Sequence, residues 1–104
     1  MRFEELNLEP NLMDGLSAMN FQEMTPVQEQ SIPLILEGKD IIACAQTGTG
    51  KTAAYLLPLL NKMMTEEHDA DAVNAIVMAP TRELAQQIDQ QLEGFSYFLS
   101  VSSV

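Results

Sequence analysis

The chain has 104 residues, 46% of them hydrophobic and 19% charged, the balance of one globular domain or a piece of one and not of a disordered tail. Five Lys and Arg against fifteen Asp and Glu leave a formal net charge of −10, which repels nucleic acid and anionic membrane unless the few basic groups gather at one site. A single cysteine excludes an internal disulfide and a cysteine-based metal site, and suits a reducing compartment.

At the start, Met1-Arg2-Phe3-Glu4-Glu5-Leu6 turns acidic where a signal peptide would begin its apolar stretch. The longest apolar run, Ala53 to Leu60, is broken by Pro58 and is too short to span a bilayer, so a soluble, cytoplasmic chain is expected. From Asn11 to Met19, Leu12, Met13, Leu16 and Met19 recur at helical spacing, with Asn11 as N-cap and Gly15 as a weak point. Thr25-Pro26 is a second helix start, a hydroxyl cap followed by Pro at the first helical position; that helix runs toward Leu36, bends at Pro33 and stops at Gly38. Asp40 to Ala45 contains Ile41-Ile42-Ala43-Cys44 and predicts a buried strand leading into glycines, with Cys44 as a small hydrophobe.

Lys51 to Met64 then predicts a buried helix kinked at Pro58, and Thr65 to Asp71 a solvated acidic loop. His68 beside Asp69 and Asp71 hints at a metal, but the charge pattern of the loop is that of a solvated surface. Ala75 to Ala79 predicts a second buried strand ended by Pro80, and Thr81 caps a helix with apolar positions Leu84, Ala85, Ile88 and Leu92 that closes near Gly94. Leu99 to Val104 alternates like the start of a third strand, with no turn after it, which suggests that the fold is incomplete at the C-terminus. Strand–helix–strand–helix–strand predicts an α/β fold with a parallel sheet and right-handed crossovers.

The strongest chemical motif is Ala45-Gln46-Thr47-Gly48-Thr49-Gly50-Lys51-Thr52, set between the first predicted strand and the long helix. Glycines there let backbone N–H groups turn inward around a phosphate chain, and the helix start adds its positive dipole end. Lys51 would reach the β- and γ-phosphates, and the Thr52 hydroxyl would ligate Mg²⁺. Gly48-Thr49-Gly50-Lys51-Thr52-Ala53 also fits a dinucleotide fingerprint, but that fold wants an acid at the end of the second strand, where Pro80 stands.

With Ala opening the motif, Ala45 to Thr52 is identical to the helicase form of the P-loop. Pro80-Thr81-Arg82-Glu83-Leu84 with Ala85-Gln86-Gln87 resembles motif Ia of DEAD-box RNA helicases. Phe21-Gln22-Glu23-Met24-Thr25-Pro26-Val27-Gln28 resembles the Q motif of that family, and Phe3 falls seventeen residues before Asn20, where the family places an aromatic. The resemblance covers essentially the whole chain and implies a P-loop NTPase fold: a RecA-like parallel sheet flanked by helices, of which this is the first half of the first domain. Residues 1–38 would be the Q-motif region, 39–65 the P-loop strand and helix, and 72–104 the second strand, the motif Ia helix and the start of a third strand.

By resemblance, ATP and Mg²⁺ are the cofactors. Gln28 would hydrogen-bond the adenine edge and Phe3 would stack on the ring; Gln46, Thr47, Gly48, Thr49, Gly50, Lys51 and Thr52 would hold phosphates, with Lys51 and Thr52 serving catalysis. Pro80, Thr81 and Arg82 would contact an RNA backbone, in keeping with a capped helix start bearing an Arg. The bland readings are a solvated Gln28, a Phe3 that anchors the core, and an Arg82 paired with Glu83 or Asp89. Two departures occur: Asn20 stands for the usual Gly, which its tolerance of left-handed backbone makes mild, and Met24 stands for a usual Pro.

Hydrolysis needs a carboxylate at the end of another apolar strand and a group that positions water, and no such strand follows the P-loop. The family's DEAD motif, its Ser-Ala-Thr motif and its second RecA-like domain with the arginine finger are also absent. This chain alone is therefore expected not to hydrolyse ATP, and its unpaired apolar strands are expected to favour self-association. The competing readings are a stand-alone, non-catalytic nucleotide- or partner-binding module and a small P-loop kinase, the latter lacking a second carboxylate motif.

Overall fold

The computed structural model describes residues 2–44, 50–65 and 75–99. Among them the chain forms a short 3-10 turn at Phe3–Leu6 and the helices α1 (Pro10–Ala18), α2 (Pro26–Leu36), α3 (Lys51–Thr65) and α4 (Arg82–Phe95). Three helix starts have a side-chain cap. The Glu9 carboxylate accepts from the Leu12 N–H at 3.1 Å, so α1 begins at Pro10 and not after Asn11 as the periodicity predicted. An acceptor followed by Pro, whose ring presets φ and which has no N–H to satisfy, outcompetes the Asn cap two residues later. Thr25 caps α2 as predicted, and the Thr81 hydroxyl accepts from the Leu84 N–H at 3.1 Å to cap α4.

The ends of α1 and α2 use one device. Phe21 N–H returns to the Leu16 carbonyl at 2.9 Å and Asn20 N–H to Ser17 at 3.0 Å, with Asn20 at φ 63. Lys39 returns to Leu34 and Gly38 to Ile35 in the same manner, with Gly38 at φ 89. Both satisfy carbonyls that the helix leaves open, through one residue in the left-handed region. Asn20 therefore does the work of the glycine that it replaces. Met24, the other departure, is buried in the core.

The core joins Phe3, Leu12, Leu16, Ile32, Leu56, Leu57, Leu60 and Phe95, all buried. Helix α2 packs most extensively on α3, and α1 and α4 pack on α3 and on each other. The Glu9 N–H donates to the Asn61 side chain at 2.7 Å, which ties the start of α1 to α3. Gly15 is buried mid-helix because α4 ends against it: a Cβ there would lie 2.7 Å from the Phe95 carbonyl oxygen. Phe21 joins this seam, its ring 5.8 Å from that of Phe3 and edge-on to Phe95 at 5.3 Å.

Among the described residues, the strands predicted at 40–44 and 75–79 do not form. Among the described residues the only β-type pairing is an isolated antiparallel bridge between Arg2 and Glu23. Residues 41–44 and 75–79 run without regular structure, with Ile42 99% and Met78 89% exposed instead of buried. A strand exists only when its N–H and C=O groups find a ladder partner, and neither apolar run meets one here. Leu84 and Ala85, predicted on the apolar face of α4, are exposed as well, leaving Ile88 and Phe95 as its buried anchors. Leu99 packs against the core after a turn, while 100–104, the rest of the third predicted strand, lie outside the described residues. Thr65 closes α3, and the remainder of the predicted acidic loop, with its His68 cluster, also lies outside them.

Candidate functional site

A cavity of about 490 Å³ opens where the turn after α1, the start of α2 and the start of α3 meet; Asn20, Phe21, Thr25, Gln28, Gly50 and Gln91 are among the residues that line it. Gln28 is only 3% exposed, and both ends of its amide are engaged. Its Oε1 accepts from the Thr25 N–H at 2.9 Å, completing the reciprocal cap of α2, and its Nε2 donates to the Gly50 carbonyl at 3.2 Å. Gly50 has φ 82, and a Cβ on it would fall inside van der Waals contact of the Gln28 Nε2 and 3.1 Å from its Cδ. Only glycine lets this amide lie against the backbone that leads into α3.

The structure brings together some of the residues singled out from the sequence and separates others. Gln28 and Gly50 share the larger cavity, and Thr52 lies half-buried in the first turn of α3. Lys51, exposed at the first position of α3, borders instead a second cavity of about 220 Å³, with Ser31, Ile41 and Tyr55. Phe3 departs from its expected stacking role. Its ring is 1% exposed, covered by the core and by Phe21, so it anchors the fold and presents no free face. Phe21 is the aromatic that lines the cavity. Gln46, Thr47, Gly48 and Thr49 lie outside the described residues. Pro80, Thr81 and Arg82 are exposed at the start of α4 and line neither cavity.

Among the described residues no group of three or more His, Cys, Asp or Glu side chains is placed to hold a metal ion. Nor is any helix among them long and apolar enough to cross a membrane.

Residues 25–104 match the family model described as DEAD/DEAH box helicase. The chain belongs to this family. It is 54% identical over 95 residues to the DEAD-box ATP-dependent RNA helicase CshA of Streptococcus pneumoniae, a match covering 91% of this chain and 18% of that protein. It is 46% identical over 101 residues to the ATP-dependent rRNA helicase RRP3 of Saccharomyces cerevisiae, across 97% of this chain and 20% of that one. The crystal structure of the RNA-helicase Prp28 from Chaetomium thermophilum bound to ADP superposes with a TM-score of 0.89 at 41% identity, over 99% of this chain and 26% of the other. This member of the DEAD/DEAH box helicase family thus spans about a fifth of the length of the curated relatives that it matches. Its relatives are named as enzymes, and its fold is that of RNA-helicase structures.

Among the cavity residues that sequence reasoning did not assign to a site are Phe21 and Gln91. Phe21 was visible only as a letter of a motif, and Gln91 reads as one more polar position on a polar helix. The spacing of Gln91 three residues after Ile88 and four before Phe95, the buried anchors of α4, was the available clue.

Proposed function

We propose that this chain is the nucleotide-binding segment of an ATP-dependent RNA helicase. The observation that supports it most directly is the Gln28–Gly50 hydrogen bond, which joins the residue read as adenine-contacting to the last glycine of the phosphate motif across 22 positions of sequence. In this reading residues 1–38 supply the base-contacting region, 39–65 the phosphate loop with its helix, and 72–104 the RNA-facing helix start. Adenine occupies the larger cavity beside Phe21, with Gln28 reading its edge and Phe3 supporting Phe21 from the core. Backbone N–H groups of residues 46–50 surround the phosphates, assisted by the Gln46 and Thr47 segment and by the dipole of α3. Lys51 neutralises the terminal phosphates and the Thr52 hydroxyl holds Mg²⁺, which supplies charge neutralisation when bound.

Pro80, Thr81 and Arg82, exposed at the start of a 14-residue helix, form an RNA-backbone contact without sequence readout. Hydrolysis and unwinding belong to an assembled protein in which a second RecA-like domain closes over ATP and RNA and the central parallel sheet is complete, in the cytoplasm. The 104-residue chain by itself binds nucleotide without turnover. Its exposed Ile42, Ile76 and Met78 make it prone to self-association. Membership of a helicase family disfavours the stand-alone module.

Calorimetric titration of the chain with Mg²⁺–ADP, beside a Lys51→Ala control, tests this. Saturable binding that the variant loses is the expected result, with GDP weaker than ADP. Equal affinity for GDP and ADP would remove the adenine role of Gln28. Absence of ADP binding by the wild-type chain would overturn the assignment of the cavity as a nucleotide site.

A further inference from the structure

We propose that Gln91 is a second base-reading residue of the larger cavity, its amide oxygen accepting from the exocyclic amine of an adenine; this rests on the nucleotide-binding reading above. Helix α4 is polar and exposed over most of its surface, yet Gln91 turns inward between the anchors Ile88 and Phe95 and lines the cavity that Gln28 lines. Its Oε1 is buried and has no hydrogen-bond partner among the described residues, the one side-chain atom among them in that position.

A buried amide oxygen with no donor is costly, and natural folds keep few of them without a use. At Gln28 the Oε1 already accepts from Thr25 and one Nε2 N–H donates to Gly50, which leaves its second N–H to reach a ring nitrogen at the base edge. Of the two amides at the cavity, Gln91 carries the unused acceptor. The terminal torsion of a glutamine is broad, so the oxygen turns from the protein side to the cavity at little cost.

Phe21 and Ala53 supply apolar wall for a planar ring. A 6-amino purine then brings an N–H to an oxygen that lacks one, whereas a 6-oxo purine brings none and leaves that oxygen unmet. The position thus discriminates by matching a donor to an otherwise unmet acceptor.

The test replaces Gln91 with methionine, which keeps length and helix preference and removes the hydrogen-bonding groups. Mg²⁺–ADP and the diphosphate of purine riboside, which lacks the 6-amino group, are titrated into the wild-type chain and the Gln91→Met, or Q91M, chain. ADP affinity is expected to fall about tenfold in the variant while the desamino analogue changes by less than about twofold, the size of one net hydrogen bond. The thermal midpoint of the unliganded variant is expected to rise by about 5 °C, because an unmet buried acceptor has gone. That pairing of higher stability with weaker ADP binding is one that a structural role would not produce, and the melt also verifies that the variant folds.

Equal weakening of both ligands, or unchanged ADP affinity in Q91M, would overturn the role of Gln91. If Lys51→Ala abolishes ADP binding while Q91M leaves it intact, the nucleotide site stands and only this inference falls. If the wild-type chain binds no ADP, both fall together.

Discussion

Gly50→Ala separates two costs at the point where the phosphate motif meets the start of α2. The first is conformational: at φ 82 an L-residue is strained by about 1–2 kcal/mol relative to glycine. The second is steric, because the new Cβ collides with the side-chain amide of Gln28, which is 3% exposed and has little room to retreat. Moving that amide breaks its bonds to the Gly50 carbonyl and the Thr25 N–H, each worth about 1 kcal/mol net. The single variant is therefore expected to lose about 2–4 kcal/mol, a large part of the stability of a domain of this size. Urea unfolding followed by far-UV circular dichroism measures this directly. In a Gln28→Ala background the clash partner is gone, so Gly50→Ala should cost only the conformational share of about 1–2 kcal/mol. A double-mutant cycle that is additive within about 0.5 kcal/mol, or a single variant within about 0.5 kcal/mol of wild type, would refute the reasoning.

Gly15→Ala should destabilise by about 1–3 kcal/mol although alanine is the better helix former, because its Cβ meets the Phe95 carbonyl at 2.7 Å; a stabilised variant in thermal melts would contradict this packing. Thr81→Ala should cost about 1 kcal/mol through loss of the α4 cap, and Thr81→Ser much less, as read by chemical denaturation. Asn20→Ala should cost about 1–2 kcal/mol at φ 63 while Asn20→Gly costs nothing or stabilises, compared by their thermal midpoints. Ile42→Asp combined with Met78→Asp should shift sedimentation toward monomer and leave helix content unchanged, since both side chains are exposed; unchanged self-association would place the contact elsewhere.

Local chemistry made the helices legible before any coordinates. The Thr25-Pro26 start, the Thr81 cap, the Gly38 stop and the left-handed role of Asn20 are each decided within a few residues, so the chain carries them wherever it folds. The phosphate motif and its flanking motifs were equally readable, because function there depends on residue types at set spacings. The start of α1 was misplaced by two residues, since the Glu9-Pro10 pair competes with Asn11 and periodicity does not weigh caps against each other.

Tertiary structure decided the rest. Apolarity stated that residues 41–44 and 75–79 seek burial, but a strand also needs a partner backbone, and a run of side chains does not specify one. Phe3 has the same side chain whether it stacks on a ligand or anchors a core. Only the arrival of Phe21 against its ring assigned it to the core. Gln91 is indistinguishable by sequence from the exposed glutamines around it. Its buried oxygen exists because α4 ends against Gly15 and turns that one face toward the cavity shared with Gln28. What neighbouring residues impose on one another was in the sequence, and what distant segments impose had to wait for the fold.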